Sequence, residues 1–198
     1  MLVRAEGRDA VTGSDVGRLL TAAAAGDQDA WSALVDRYAN LVWSVARGFG
    51  LNGADAADVS QATWLRLVER LDSIREPDRV GSWLATTARR EALGLLRRSG
   101  RYVPTAETDE FDRLIGAVDG AGPLDQVLRD DRDARLREAV GTMSQRCQRL
   151  LRLLLADPVP SYADLAAALD IPVGSIGPTR ARCLDALRGR VAWAVSEA

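Results

Sequence analysis

Arg90, Arg97 and Arg101 fall near one face of a helical stretch, with Gly94 between them offering a point of close approach. Trp83 opens the same stretch, and a short polar loop, Arg75 to Gly81, precedes it. Guanidinium planes and an indole beside a loop are what holding splayed single-stranded bases requires, although the same residues also fit a solvated face over a core tryptophan. Further along, Ser175, Thr179 and Arg182 recur at spacings of four and three, which turns them to one side of a helix. Arg182 is suited to a phosphate or a guanine edge. Asp58 and Gln61 lie about one turn apart, outside an apolar stripe, and taken alone mark only an exposed polar face.

The chemistry these groups could do is binding. Histidine is absent, which removes the commonest general base and the commonest metal ligand. There is no glycine-rich phosphate loop, and Cys147 and Cys183 cannot supply the four ligands of a zinc site. No enzyme activity, cofactor or metal is expected. Both cysteines read as small buried apolar side chains, a bridge between them being disfavoured in a reducing compartment. All 26 basic residues are arginine, so each cation is a planar fork.

The elements that must carry these residues are helices. Trp31, Leu34, Val35, Tyr38, Val42, Val45 and Phe49 follow the three-four spacing of a buried stripe, predicting a helix over 29–49. Gly48, Gly50 and Gly53 close it, with Asn52 available to cap the next helix, 54–74. A third helix runs over 80–98, and a shorter one, 15–25, precedes all three. Two more follow at 124–142 and 144–156. No alternating strand pattern occurs. The fold class is all-α: a tail over 1–14, a helical domain over 15–100, an acidic linker over 101–122, and a second helical domain over 123–198.

Net charge is −2, but the charge is sorted along the chain. Arg89, Arg90, Arg97, Arg98 and Arg101 make one basic run and Arg180, Arg182, Arg188 and Arg190 another, with a carboxylate-rich stretch between. The second basic run belongs to a helix–turn–helix pattern. Ser161 sits three residues before Asp164, like a capping box, and Leu165, Ala166 and Leu169 supply an apolar face. Pro172 and Gly174 make the turn, and Pro178 falls in the first turn of the following helix. In such motifs the second helix enters the major groove by its N-terminal end. No apolar run reaches the roughly 20 residues of a membrane span, and the first fourteen residues lack the apolar centre of a signal peptide. A soluble, cytoplasmic protein without direct membrane binding is expected.

In this order, the segments resemble the extracytoplasmic-function sigma factors of the sigma-seventy family. ADAADVSQATWLRLVERL (54–71) resembles the segment with which that family grips the clamp helices of RNA polymerase. VGSWLATTARREALGLLRRSGR (80–101) resembles its minus-ten region, and MSQRCQRLLRLLLADPVPSYADLAAALDIPVGSIGPTRARCLDALR (143–188) its minus-thirty-five domain. The resemblance implies that Asp58, Gln61 and Leu65 contact polymerase. It implies that Trp83, Arg89, Arg90, Arg97, Arg98 and Arg101 support the opened minus-ten strand. Ser175, Thr179, Arg180 and Arg182 would anchor or read the minus-thirty-five duplex. The implied partners are core RNA polymerase, through its clamp helices and flap, promoter DNA, and an anti-sigma factor. Gly177, Thr179, Arg180 and Ala181 depart from the family's usual residues at contact positions, so its usual promoter sequence is not implied. The rival reading is a stand-alone helix-turn-helix regulator, which explains 143–188 but leaves Asp58, Gln61 and the 80–101 segment without a purpose.

Overall fold

The computed structural model describes residues 13–100 and 131–196; the tail before residue 13, the linker over 101–122 and the start of the helix expected from 124 lie outside the described residues. Eight α-helices and no strand occur among the described residues. Helix α1 spans Gly13–Ala24 and α2 spans Gln28–Gly48. The Asp27 carboxylate starts α2 by accepting the backbone N–H groups of Asp29 and Ala30. Helix α3, Gly53–Val68, begins where Asn52 accepts the Asp55 N–H at 2.8 Å. It ends sooner than the periodicity predicts. Leu71–Ser73 forms a 3-10 turn against α1, so Leu71 and Ile74 pack back onto the core instead of following the α3 axis. Helix α4, Val80–Arg98, follows a 3-10 turn at Pro77–Arg79.

These four helices close around Leu34, Val42, Val45, Leu51, Val59, Leu67, Leu84 and Ala88, all buried. Arg47 is buried among them at 2% exposure, and its Nη1 donates to the Leu51 carbonyl at 2.5 Å. A charge so placed must be hydrogen-bonded to be tolerated, and it fixes the loop between α2 and α3.

The second unit comprises α5 (Asp131–Gly141), α6 (Gln145–Leu154), α7 (Tyr162–Leu169) and α8 (Ile176–Ser196). Among the described residues its core comprises Met143, Leu150, Leu153, Ala156, Leu165, Ala166, Ala168, Ile176 and Cys183. The two cysteines differ from expectation. Cys147 on α6 and Cys183 on α8 are disulfide-bonded, because the helices cross with the two Cα atoms 5.3 Å apart, within bridging range.

The two units share one continuous core, with α4 packed on α7 and α2 on α6. Polar contacts line the seam. Arg149 Nε donates to the Gly48 carbonyl at 2.8 Å, and its guanidinium lies 4.5 Å from the centre of the Phe49 ring. Arg152 Nη1 donates to the Arg47 carbonyl, so α6 supplies cations to the carbonyl end of α2. Asn40 Nδ2 donates to the Asp157 carbonyl at 2.7 Å.

Candidate functional site

The α3 residues Asp58, Gln61 and Leu65 come together on one wall of an open groove of about 460 Å³, completed by Trp31, Ala62, Trp64 and Val68. Trp31 from α2 meets Trp64 edge-on, with ring centres 6.1 Å apart, which fixes the floor of the groove. Leu65 and Val68 are 59% and 50% exposed on its rim, and Asp58 and Gln61 are exposed beside them. Large apolar side chains left in water next to a fixed aromatic pair make a surface suited to docking a partner. Leu67 and Val59, from the same helix, point inward and are buried. A helix with one core face and a second, exposed apolar face is what the three-four pattern of α3 contains.

On α4, Arg90, Arg97 and Arg98 are exposed, and Trp83 is half-buried and packed against the core. Arg101 lies outside the described residues. Arg89 turns toward the second unit, and its Nη2 donates to Asp170 Oδ2 at 2.5 Å. Gly94 is not the point of close approach expected of it: a Cβ there would meet only the flexible Arg98 guanidinium, at 3.2 Å. Gly81 is that point. A Cβ on it would lie 2.6 Å from Asp164 Oδ1, and the neighbouring Ser82 hydroxyl donates to that oxygen at 2.9 Å.

The helix–turn–helix is formed by α7 and α8. Ser161 and Asp164 make the reciprocal capping box that the spacing suggests: Ser161 Oγ accepts the Asp164 N–H, and Asp164 accepts the Ser161 N–H. Asp170 ends α7 with φ 56°, a left-handed cap that aspartate adopts more readily than most residues. A 3-10 turn at Val173–Ser175 leads into α8. Ser175 is half-buried, while Arg180 and Arg182 are exposed. Thr179 corrects the expectation that it faces outward. It is buried at 6% exposure, its hydroxyl 3.5 Å from Arg182 Nη2, because α8 turns Ile176, Thr179 and Cys183 inward together. Thr179 therefore supports Arg182 from beneath rather than reaching a base edge.

Tyr38 lies at the junction of the two units. Burial raises its phenol above the ordinary value of 10.0, against the lowering influence of the adjacent Arg37, and the negative charges of Asp164 and Asp78 add to the rise. Sequence reasoning missed Gly81, Ser82, Arg149 and Arg152 as contact residues. Only Arg149 and Arg152, spaced three apart within an apolar helix, carried any signal.

A helical fold that ends in a helix-turn-helix and exposes an apolar groove at a distance from it defines a class of DNA-binding protein with a docking surface. The comparisons agree. The model of the family described as Sigma-70 region 2 matches residues 34–102, which hold α4 and, apart from Trp31, the lining of the groove. The chain is 26% identical over 171 residues to the ECF RNA polymerase sigma-E factor of Escherichia coli strain K12, covering 84% of this chain and 88% of the relative. It is 27% identical over 178 residues to the ECF RNA polymerase sigma factor SigE of Mycolicibacterium smegmatis, covering 88% and 67%. Among solved structures, that of CnrH in complex with the cytosolic domain of CnrY shares the fold, with a TM-score of 0.53 and 22% identity, covering 91% of this chain and 97% of that one. Residues 34–102 thus match the Sigma-70 region 2 family, and over most of its length the chain is similar to extracytoplasmic-function sigma factors.

Proposed function

We infer that this chain is an alternative sigma factor: it joins core RNA polymerase and directs promoter recognition, melting and the start of transcription. The observation that carries this reading is the α3 groove, whose exposed Leu65 and Val68 lie beside Asp58 and Gln61 within the stretch matched by the family model. The groove is the surface for the polymerase clamp helices, and the helix-turn-helix unit lies near the flap. Arg90, Arg97 and Arg98 would meet the opened minus-ten strand, where capturing an unstacked base offsets the few kilocalories that unstacking costs. Arg180 and Arg182 would hold the minus-thirty-five duplex, mostly through phosphates. The chain acts by binding, without catalysing a reaction. It works in the cytoplasm, and no helix among the described residues is long and apolar enough to cross a membrane. An anti-sigma partner is part of this reading, supported by the complex in which the structural neighbour was solved.

Run-off transcription with purified core polymerase, on promoter fragments from the host genome, tests the reading. New discrete transcripts are expected in the presence of the chain, and Leu65→Arg should reduce them about tenfold or more while leaving thermal stability unchanged, since Leu65 is 59% exposed. Shifts of duplex fragments by the chain alone, with no new transcripts, would instead establish a stand-alone regulator.

A further inference from the structure

The bond between Cys147 and Cys183 joins two helices with different attachments. Helix α6 is fixed to the first unit through Arg149 and Arg152, which donate to the carbonyls of Gly48 and Arg47. Helix α8, which carries Arg180 and Arg182, is held in its own unit, among the described residues, by the buried Ile176, Thr179 and Cys183, with Ala186 and Leu187 partly buried. One of the three buried anchors among its described residues is thus half of the disulfide. In a helical unit of this size such a link adds to the rigidity that core packing supplies. The two sulfurs are also unequally placed. Cys147 is half-buried in the first turn of α6, its N–H toward Ser144 Oγ, whereas Cys183 is 1% exposed behind it.

We propose that Cys147 and Cys183 form a reversible thiol–disulfide site that sets how firmly the DNA-facing helix α8 is held. The oxidant is hydrogen peroxide. The Cys147 thiolate attacks one peroxide oxygen, forming S–OH as the O–O bond breaks and hydroxide leaves to take up a proton. The Cys183 thiol then attacks that sulfur, the S–S bond forms, and water departs with the thiol proton. Two thiols have lost two electrons to one peroxide, giving one disulfide and two waters. A dithiol reverses the reaction by exchange, attacking first at the more accessible Cys147 sulfur and becoming a disulfide itself. The site goes beyond the sigma-factor reading and depends on it in one respect: inside the cell, thiol pools keep unregulated cysteines reduced, so a bridge formed there reports oxidation.

The test uses the full chain, treated with dithiothreitol or with hydrogen peroxide, then alkylated with N-ethylmaleimide and weighed. Both cysteines should be alkylated after dithiothreitol and neither after peroxide, with the peroxide product monomeric on a non-reducing gel. Amide hydrogen exchange across α8 should be about tenfold faster in the reduced chain, with α2 to α4 unchanged. Cys147→Ser, at the half-buried position, should exchange like the reduced chain even after peroxide; Cys183→Ser is the second variant. Thiols that survive peroxide, bridges formed between chains, or equal exchange in the two states would each overturn the proposal. Run-off yield with core polymerase should differ severalfold between the two forms, and equal yields would overturn the link to DNA. If neither form supports transcription, the sigma-factor reading fails while the thiol and exchange results still decide the site.

Discussion

Ser82 and Asp164, 82 positions apart, provide a direct measure of how the two helical units are joined. Asp164→Ala removes the acceptor for the Ser82 hydroxyl at 2.9 Å and for the Ser161 N–H at 3.1 Å. Losing half of a capping box costs about 1 kcal/mol. Losing a hydrogen bond to a largely buried carboxylate costs about 1.5–3 kcal/mol. The expected total is about 2.5–4 kcal/mol. Ser82→Ala leaves the cap intact and should cost about 1–1.5 kcal/mol. In the double variant the shared bond is counted once, so the sum of the single effects should exceed the double by about 1 kcal/mol. Urea unfolding followed by tryptophan fluorescence in a Trp193→Phe background is an apt assay, because the remaining tryptophans, Trp31, Trp43, Trp64 and Trp83, all belong to the first unit while Asp164 belongs to the second. With one shared core, Asp164→Ala should move the tryptophan transition. Additive effects within about 0.5 kcal/mol, or an unmoved tryptophan transition, would show that the units do not meet through this contact.

Two further outcomes follow from residues on either side of the seam. Thr179→Val should change stability by at most about 1.5 kcal/mol and weaken transcription from all promoters alike, whereas Arg182→Ala should leave thermal unfolding unchanged and alter promoter binding; base-specific losses from Thr179→Val in a promoter-variant panel would contradict its buried position. Tyr38 predicts an alkaline limit: because its folded-state value is raised by burial, its stabilising contribution is complete below the unfolded value near 10 and is lost as pH rises through the raised one. The urea midpoint should therefore fall as pH rises above about 10, with a shallower fall in Tyr38→Phe; identical slopes would remove Tyr38 as the cause.

The helices were legible because their local signals agree with their packing. The Ser161–Asp164 box, the Asn52 cap and the stripe through Leu34, Val42 and Val45 all occur where the spacing puts them. The groove was legible only in part: Asp58 and Gln61 were visible, but the exposed apolar rim of Leu65 and Val68 cannot be told from a core stripe by periodicity, which gives the face and not what covers it. The seam was hidden for a different reason. Gly81, Ser82, Arg89 and Asp170 are ordinary residues on their own helices, and their meaning comes from partners about eighty positions away. Thr179 was misjudged, since a helix assumed to face DNA along one side proves to turn that side partly inward, whereas Cys183 is buried as expected and only its bridge to Cys147 was not foreseen.

The seam and the groove differ in readiness for partners. Leu65 and Val68 are in water as the chain stands, so a polymerase surface could bind them without any internal contact being broken. Arg89 is engaged by Asp170, and the start of α4 lies under Asp164, so on the sigma-factor reading full access to α4 requires α7 to part from it. The polar contacts to be broken are modest. Asp170 is 67% exposed, so its pair with Arg89 contributes at most about 1 kcal/mol, and the Ser82 bond adds about 1–3 kcal/mol. Most of the cohesion comes instead from the apolar surface buried where α4 meets α7 and α2 meets α6. Polar variants at Ser82 or Asp170 should therefore loosen the seam without separating the units, whereas Gly81→Leu, driven against Asp164 and its cap, acts on the packing itself.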